Sequence, residues 1–514
     1  MKNDLQLGED KLGALPDPGA VGATRKFVAN ARLSYLAKFV GLLALPLVFI
    51  LARTLGPGGW GLFSLTLSIL TFLRIAGGSG LGPSTGKHLA ALRADEEESK
   101  VGPLLASGLL SQVMAVSLLA VAVWLTAPVL AVRFGNGALG PTLRIGAVAL
   151  VFFAVCEFSK AALQGIQRFD YIGWVTGAEY GVKLIFAGGL ALLGYGVAGA
   201  LWGFTIGLIV AGVVTVILFL RLGMRLSLIS RPEWRSLLSY SIPLIATTMG
   251  FVVYAELDNL MIGYYMGVAA VGVYAVAIFV ARGIPELAKP IGQAAAPIVV
   301  KLVRDDPGQA ARLTERLLKY VFMTFLAIAT AIFVLAPKIL ALVGRGYAGG
   351  APTLRVMAVF VLSLSLGVAI QPIIDYAGLA WRRALWLTVS VGANVVLNLL
   401  LIPRIGGLGA ALATAVTHAP YVLNNVWALC KLVGLKPGLV YKDMARALTA
   451  GVAAGAVGLL TLARFDSVVV TLLLGATTYL TVILSLGIFS KAEFMEVIGS
   501  IRMRTEEAVA GVEE

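Results

Sequence analysis

Ionisable residues are scarce inside the long apolar stretches of this chain, and the few present are the groups able to do chemistry there. Arg74, Glu157, Lys160, Glu179, Lys183, Arg282, Glu286, Lys289 and Asp375 fall within or at the ends of runs rich in Leu, Val, Ala, Phe and Gly. A charge in hydrocarbon is costly unless it faces water or a partner, so intramembrane charges mark a path for polar cargo. Arg74 and Arg282 are near-equivalent positions of an internal repeat, within one helical turn of one another's counterpart. Two guanidiniums facing one another across a cavity suit an anionic diphosphate, because each offers a bidentate fork. Structural ion pairs with nearby carboxylates are the alternative. Lys183, Lys289, Asn394 and Asn398 join them as candidate substrate-binding residues, and Glu179, Glu286, Glu157 and Asp375 are the candidate ion-coupling carboxylates.

The spacing of these residues suggests partners. Glu179 and Lys183 are four apart on one helical face, as are Arg282 and Glu286, so each pair is expected to meet. Such pairs either neutralise each other or form a proton or cation relay in which a carboxylate changes partner. Asn394 and Asn398, also four apart, either line a cavity or make hydrogen bonds between helices. Arg144 and Arg355 sit at span ends, where snorkelling to headgroups is expected. Cys156 and Cys430 are expected as free thiols in apolar surroundings, with no disulfide framework. His88 and His418 are far apart and suggest packing or surface roles, so neither a metal nor a cofactor is expected. Gly82-Pro83-Ser84-Thr85-Gly86-Lys87 is one residue short of a phosphate-cradling loop, with His88 where the magnesium-binding hydroxyl would stand. An apolar span rather than a strand leads into it. ATP hydrolysis is therefore rejected and no enzymatic activity is expected; energy must come from an ion gradient, from substrate supply or from consumption on the far side.

The elements that would hold these residues are membrane helices. Of the 514 residues, 59% are hydrophobic and only 13% charged, about half the charge of a soluble protein. The mean hydropathy of +0.91 is beyond what one or two anchors on a soluble domain would give. Apolar runs of helical length are expected to span at 34–54, 60–81, 104–127, 142–163, 172–194, 197–220, 237–258, 268–289, 316–336, 352–376, 384–402, 407–430, 443–463 and 467–489. Gly194-Tyr195-Gly196 makes the fifth and sixth a hairpin, and Pro285, Pro290 and Pro297 interrupt the eighth after Arg282. The net charge of +14 lies between apolar runs, not in one basic domain, which argues against nucleic acid. With the N-terminus inside, 31 cations fall on inner segments and 6 on outer ones. That asymmetry predicts both termini in the cytoplasm of a cytoplasmic-membrane protein. The first 24 residues lack the apolar core of a cleaved signal. The tail places Phe494, Val497, Ile498 and Ile501 at the spacing of an interfacial amphipathic helix.

The chain also repeats itself. Gly56 and Gly61-Leu62-Phe63-Ser64 match Gly267 and Gly272-Val273-Tyr274-Ala275, and Pro141-Thr142-Leu143-Arg144 matches Pro352-Thr353-Leu354-Arg355, each 211 residues on. Gly199-Ala200 matches Gly409-Ala410 at nearly the same offset. The expected fold is an all-α polytopic membrane protein of 14 transmembrane helices, two pseudo-symmetric six-helix bundles plus two C-terminal helices. Its expected parts are a cytoplasmic segment 1–33, repeats 34–235 and 236–442, an added helix pair 443–489 and a cytoplasmic amphipathic tail 490–514. Duplicated bundles around a cavity are an alternating-access architecture.

Several stretches resemble a known family. Leu397-Asn398-Leu399-Leu400-Leu401-Ile402-Pro403 with Gly406-Gly407-Leu408-Gly409-Ala410-Ala411 resembles one hairpin of polysaccharide-repeat-unit flippases. Leu55-Gly56-Pro57 with Gly61-Leu62-Phe63, Asp258-x-x-Met261-Ile262-Gly263, and Leu163-Gln164-Gly165-Ile166-Gln167-Arg168-Phe169 resemble other parts of it. Over residues 25–490 the chain is similar to the multidrug/oligosaccharidyl-lipid/polysaccharide (MOP) exporter superfamily, and within it to the O-antigen-type flippases. The resemblance implies a polyprenyl-diphosphate-linked glycan as substrate, with membrane lipids around it and glycosyltransferases or a polymerase of the same pathway as further partners. A lipid II flippase, a cation-coupled drug or metabolite antiporter of the same superfamily, and a membrane scaffold recruiting glycosyltransferases are the competing readings. Buried charges in both repeats favour transport over scaffolding.

Overall fold

A computed structural model describes residues 43–78, 80–95, 97–224 and 231–488. The signal-peptide question, the cytoplasmic segment 1–33, the start of the first expected span and the amphipathic tail 490–514 lie outside the described residues. Among the described residues the structure is helical throughout, with no strand. In chain order the helices are α1 (Ala44–Ala76), α2 (Leu81–Ala94), α3 (Glu98–Arg133), α4 (Leu139–Gly165), α5 (Phe169–Lys183), the short α6 (Gly189–Leu192) and α7 (Gly196–Arg221). They continue as α8 (Arg231–Met266), α9 (Val268–Gly283), α10 (Lys289–Asp305), α11 (Pro307–Val343), α12 (Ala351–Tyr376), α13 (Ala380–Leu432), α14 (Pro437–Phe465) and α15 (Val468–Ser485). Among the described residues ten helical segments are long and apolar enough to cross a membrane, and the chain is a multi-pass membrane protein. Most of the described part of each expected span falls on helix.

Two long helices carry two expected spans each, and both are broken by glycine. In α1 the break is Gly56, with φ 65° and ψ 178°, just before Pro57. In α13 it is Ile405-Gly406, where Gly406 has φ 57°. At 211 residues from Gly56, Gly267 separates α8 from α9 with φ 82° and ψ 171°, nearly the same conformation. A residue with a Cβ rarely adopts such positive φ, so glycine is required at both copies of this turn.

Three local features depart from the expectations. The stretch expected to be a loop after the second span forms α2, so the phosphate-loop look-alike is helical. Gly86 in it lies against α4, where a Cβ would stand 2.6 Å from the Ala161 carbonyl oxygen. The fifth span is continuous but contains a π-helical turn, Leu184–Gly188, between α5 and α6. The interruption after Arg282 is a 3-10 turn, Ile284–Ala288, with Pro285 at its start, before α10 resumes.

The chain forms two compact units whose seams fall inside helices. Of the described residues, one unit comprises those up to Leu51 together with those of Leu73–Thr126 and Leu143–Met249; the other comprises Ala52–Phe72, Ala127–Thr142 and those from Gly250 on. In the first unit, small residues let α7 approach the fifth span closely: a Cβ at Gly207 would lie 2.5 Å from Lys183 Cγ, and one at Gly203 would overlap the backbone of Ala187. In the second unit, Gly292 of α10 backs onto the Ala369 backbone of α12. Tyr479 on α15 donates to the Met323 carbonyl on α11 at 2.7 Å, fastening α15 to α11.

Candidate functional site

Each unit holds its own buried polar network. In the first, α5 supplies Glu179 and Lys183 and α4 supplies Glu157 and Lys160. The expected Glu179–Lys183 pair forms at 2.5 Å, with the two side chains only 3% and 2% exposed. Lys160 reaches the other Glu179 oxygen at 2.6 Å and lies 3.7 Å from Glu157. Glu157 in turn meets Arg74, from the end of α1, at 3.4 Å. Cys156, a free thiol as expected, points its sulfur at Glu179.

The geometry follows from helical spacing. Residues 157 and 160 of α4 and 179 and 183 of α5 lie one turn apart, so two adjacent helices present two charges each to a shared seam. Arg74 Cζ stacks 4.4 Å from the Phe153 ring centroid, and Lys183 Nζ sits 3.7 Å from that of Phe204. Aromatic faces thus shelter cations that also face carboxylates. Three cations share two carboxylates, leaving one positive charge in excess. Glu179 is fully committed to two lysines, whereas Glu157 and Arg74 keep substantial exposure.

The second unit gathers groups from three distant stretches of chain. Asp258 of α8, 1% exposed, accepts from Tyr274 of α9 at 2.5 Å, from Asn398 of α13 at 2.6 Å and from Thr414, beyond the α13 break, at 3.2 Å. Asn398 also donates to Asn394 at 3.0 Å, and Asn394 to Thr414 at 3.3 Å. The Asn398 Oδ1 atom is buried with no hydrogen-bond partner. Asp258 thus accepts from two hydroxyls and one amide nitrogen, while the oxygen of that same amide is left unsatisfied beside it; a buried carboxylate with a spare amide oxygen offers oxygens to a proton or a small hard cation. Close by on α8, Glu256 accepts from Ser68 of α1 at 2.6 Å, and Asn259 donates to the same hydroxyl at 3.0 Å. Arg282 donates to the Ala255 carbonyl at 2.8 Å, one turn from Asp258.

Several sequence expectations need correction here. Arg282 and Glu286 do not pair: the 3-10 turn after Gly283 removes the four-residue register, and Glu286 instead lies 3.5 Å from Lys289 with a side chain 62% exposed. Neither Glu286 nor Lys289 is at a buried position. Asp375 is at the end of α12 and forms a salt bridge with Arg383 at 2.8 Å, which ties α12 to the start of α13. Arg144 is exposed beside Trp124 and Arg355 half-buried beside Phe333, positions compatible with snorkelling. His418 lies among Tyr254, Phe360 and Tyr421, with Ser363 at 3.1 Å. Outside the spans, Arg168 grips Asp170 through two guanidinium nitrogens and holds its carboxyl below the usual range.

The Asp258 network escaped the sequence reading. Asp258 stood out only as part of a family-like motif, and its ligands lie 16, 140 and 156 residues away. The available signal was an acidic residue inside an apolar stretch, together with two asparagines at helical spacing.

The chain belongs to the polysaccharide biosynthesis protein family, whose model matches residues 50–348. It is 24% identical over 405 residues to an uncharacterized membrane protein of Methanocaldococcus jannaschii, MJ1375, covering 75% of this chain and 93% of that protein. Its fold resembles that of the lipid II flippase MurJ in an inward closed conformation, with a TM-score of 0.68, 15% identity and coverage of 88% of this chain and 98% of the other. An inward-facing multidrug resistance MATE transporter of the MOP superfamily gives a TM-score of 0.60 at 15% identity, covering 80% and 99%. A MOP superfamily transporter from Pyrococcus furiosus gives 0.52 at 16% identity, covering 79% and 95%. The fold is therefore that of the MOP superfamily.

Proposed function

We propose that this protein is a flippase that moves polyprenyl-diphosphate-linked oligosaccharide across the cytoplasmic membrane by alternating access, with fourteen crossings and both termini in the cytoplasm. The observation that carries this reading is the excess of cations over carboxylates in the network of Arg74, Glu157, Lys160, Glu179 and Lys183. A positive excess at membrane depth is costly unless an anion completes it. A diphosphate supplies that charge, and its polyprenyl chain can stay in the lipid while the headgroup crosses. Family membership supports a glycan, and the likeness to a lipid II flippase supports a lipid-diphosphate carrier. Arg74 and Lys183 are the proposed diphosphate contacts; Arg282 and Asn394 are kept as binding candidates. The chemistry is transport, with no bond made or broken.

The Asp258 network supports a further part of the reading, coupling to a cation or proton gradient. Binding there neutralises the carboxylate and satisfies Asn398 Oδ1. A cation-coupled antiporter of the same superfamily would use such a site equally, so substrate is the point to test. The chain is expressed in a strain lacking its own flippase for lipid-linked glycan, and surface glycan is measured. Restored glycan is the expected result. Rescue of a lipid II flippase defect alone would move the assignment to lipid II, and drug tolerance without any glycan rescue would move it to antiport. Glycosyltransferases or the polymerase of the same pathway are the proposed protein partners, testable by co-purification from the same membranes.

A further inference from the structure

A groove of about 590 Å³ opens where α11, α13 and α14 meet at a cation-rich end of the second unit. Phe322, Met444 and Leu448 form an apolar floor, and Arg382, Asn424 and Trp427 stand at its polar side. The Arg382 guanidinium lies 4.7 Å from the centroid of the Trp427 ring, and the Lys431 ammonium lies 5.9 Å from the same ring. Arg383, next in sequence, is engaged by Asp375. Among the described residues no carboxylate pairs with Arg382 or Lys431. Asn424 Nδ2 is buried without a hydrogen-bond partner. Trp381 and Trp386 project outward from the same end of α13, 81% and 41% exposed.

We infer that this groove holds an anionic phospholipid of the surrounding leaflet, distinct from the transported cargo. Exposed tryptophans at a helix end mark headgroup depth. At that depth the unpaired Arg382 and an amide donor without an acceptor line an apolar cleft, and Lys431 lies beside its Trp427 wall. An acyl chain fits the floor, and a phosphate fits the donors. A zwitterionic lipid would bring its own cation to two cations already present, so the charge selects a net-negative headgroup. The lipid would bridge Arg382 and Trp427 of α13 to Met444 of α14, joining the second repeat to the added helix pair at a place where protein contacts leave a gap. Nothing in this depends on the cargo proposed above.

The test uses the full chain purified in detergent and native mass spectrometry with phosphatidylglycerol or phosphatidylcholine of identical acyl chains. Wild type should retain phosphatidylglycerol preferentially, by about fivefold for each cation. The double substitution Arg382→Gln, Lys431→Gln should abolish the preference, and Arg382→Lys should keep most of it. Ala445→Trp, which fills the groove without touching a charge, should reduce retention of both lipids. Equal retention of the two lipids by wild type would overturn the proposal. So would a preference that survives the double substitution. Displacement of the lipid by inorganic phosphate would reveal a free-anion site, and mole-for-mole displacement by polyprenyl phosphate would reveal a cargo site; either result also overturns it. Matching thermal unfolding midpoints for wild type and variants guard against misfolding as the cause.

Discussion

Gly61 and Gly272 are equivalent residues of the two repeats, and each packs against the backbone of the other. A Cβ on Gly61 would overlap the Val268 carbonyl and lie 2.7 Å from Gly272 N; one on Gly272 would overlap the Pro57 carbonyl and lie 2.9 Å from Gly61 N. Pro57 and Val268 are themselves 211 residues apart, so this local contact is reciprocal: each segment meets the other through the same positions. Gly61→Ala and Gly272→Ala should each force the two segments apart. Each should destabilise the protein by roughly 1–3 kcal/mol, read as a lower unfolding temperature in detergent together with lower transport. An unchanged midpoint in both variants would mean the segments separate freely.

The Asp258 network gives a second prediction. Asp258→Asn should remove the dependence of transport on an imposed proton or sodium gradient, and Asn398→Ala should weaken it. Glu286→Gln should leave that dependence intact, because Glu286 is exposed and paired only with Lys289. The measurement is transport into vesicles under each gradient separately. A parental gradient response from Asp258→Asn would leave the network as interhelical hydrogen bonding alone.

The cationic residues give a third. Arg74→Ala should lower glycan export roughly tenfold or more, the scale of a lost charged hydrogen bond, while protein stays in the membrane. Arg74→Lys should keep part of the activity because charge persists without the bidentate fork, and Arg74→Gln should resemble alanine. Arg282→Ala is expected to behave in the same way. Export is measured in a strain lacking its own flippase and normalised to membrane protein. Full export from the double alanine variant would remove both residues from the cargo path.

Lys183→Met should destabilise instead of merely slowing transport. It strands Glu179, 2% exposed, with one lysine where two stood. Breaking a buried pair by removing one member costs about 3–5 kcal/mol. The double change Glu179→Gln, Lys183→Met should recover much of the loss in thermal unfolding. Failure to recover would show that the pair's charges do not set the stability of this seam.

Reporter fusions test the charge asymmetry. Fusions after Arg235 and after Lys436 should report cytoplasm, and one within 338–350 should report the outside. Opposite sides for the first two would require an odd number of crossings between them and would break the fourteen-span proposal.

The sequence made the helices visible because a bilayer demands long apolar runs, and it made matching turns visible because glycines at turns and close approaches cannot drift. Gly56 and Gly267 show this: the same positive φ recurs 211 residues apart. The Glu179–Lys183 pair was visible because helical spacing is local. Arg282–Glu286 had the same spacing and failed, because Pro285 ends regular α-helix between them. Lys160 joining Glu179 and Asn398 reaching Asp258 depend on which helices become neighbours, and one sequence does not specify that. Helix α2 was hidden by Gly82, Pro83 and Gly86, which weaken helical propensity where packing on α4 overrides it.

The π turn Leu184–Gly188 sits directly after Lys183, with Gly203 pressed against its backbone. A π turn holds one residue more than an α-helical turn would. Moving that surplus residue along the helix exchanges hydrogen bonds without losing them, and it re-phases the side chains it passes by roughly 100°. Lys183 is the first side chain in its path. The fifth span therefore carries a dislocation at the edge of its charged seam, and a slip of that turn within one helix would re-aim the lysine facing Glu179 with no hinge and no unfolded turn.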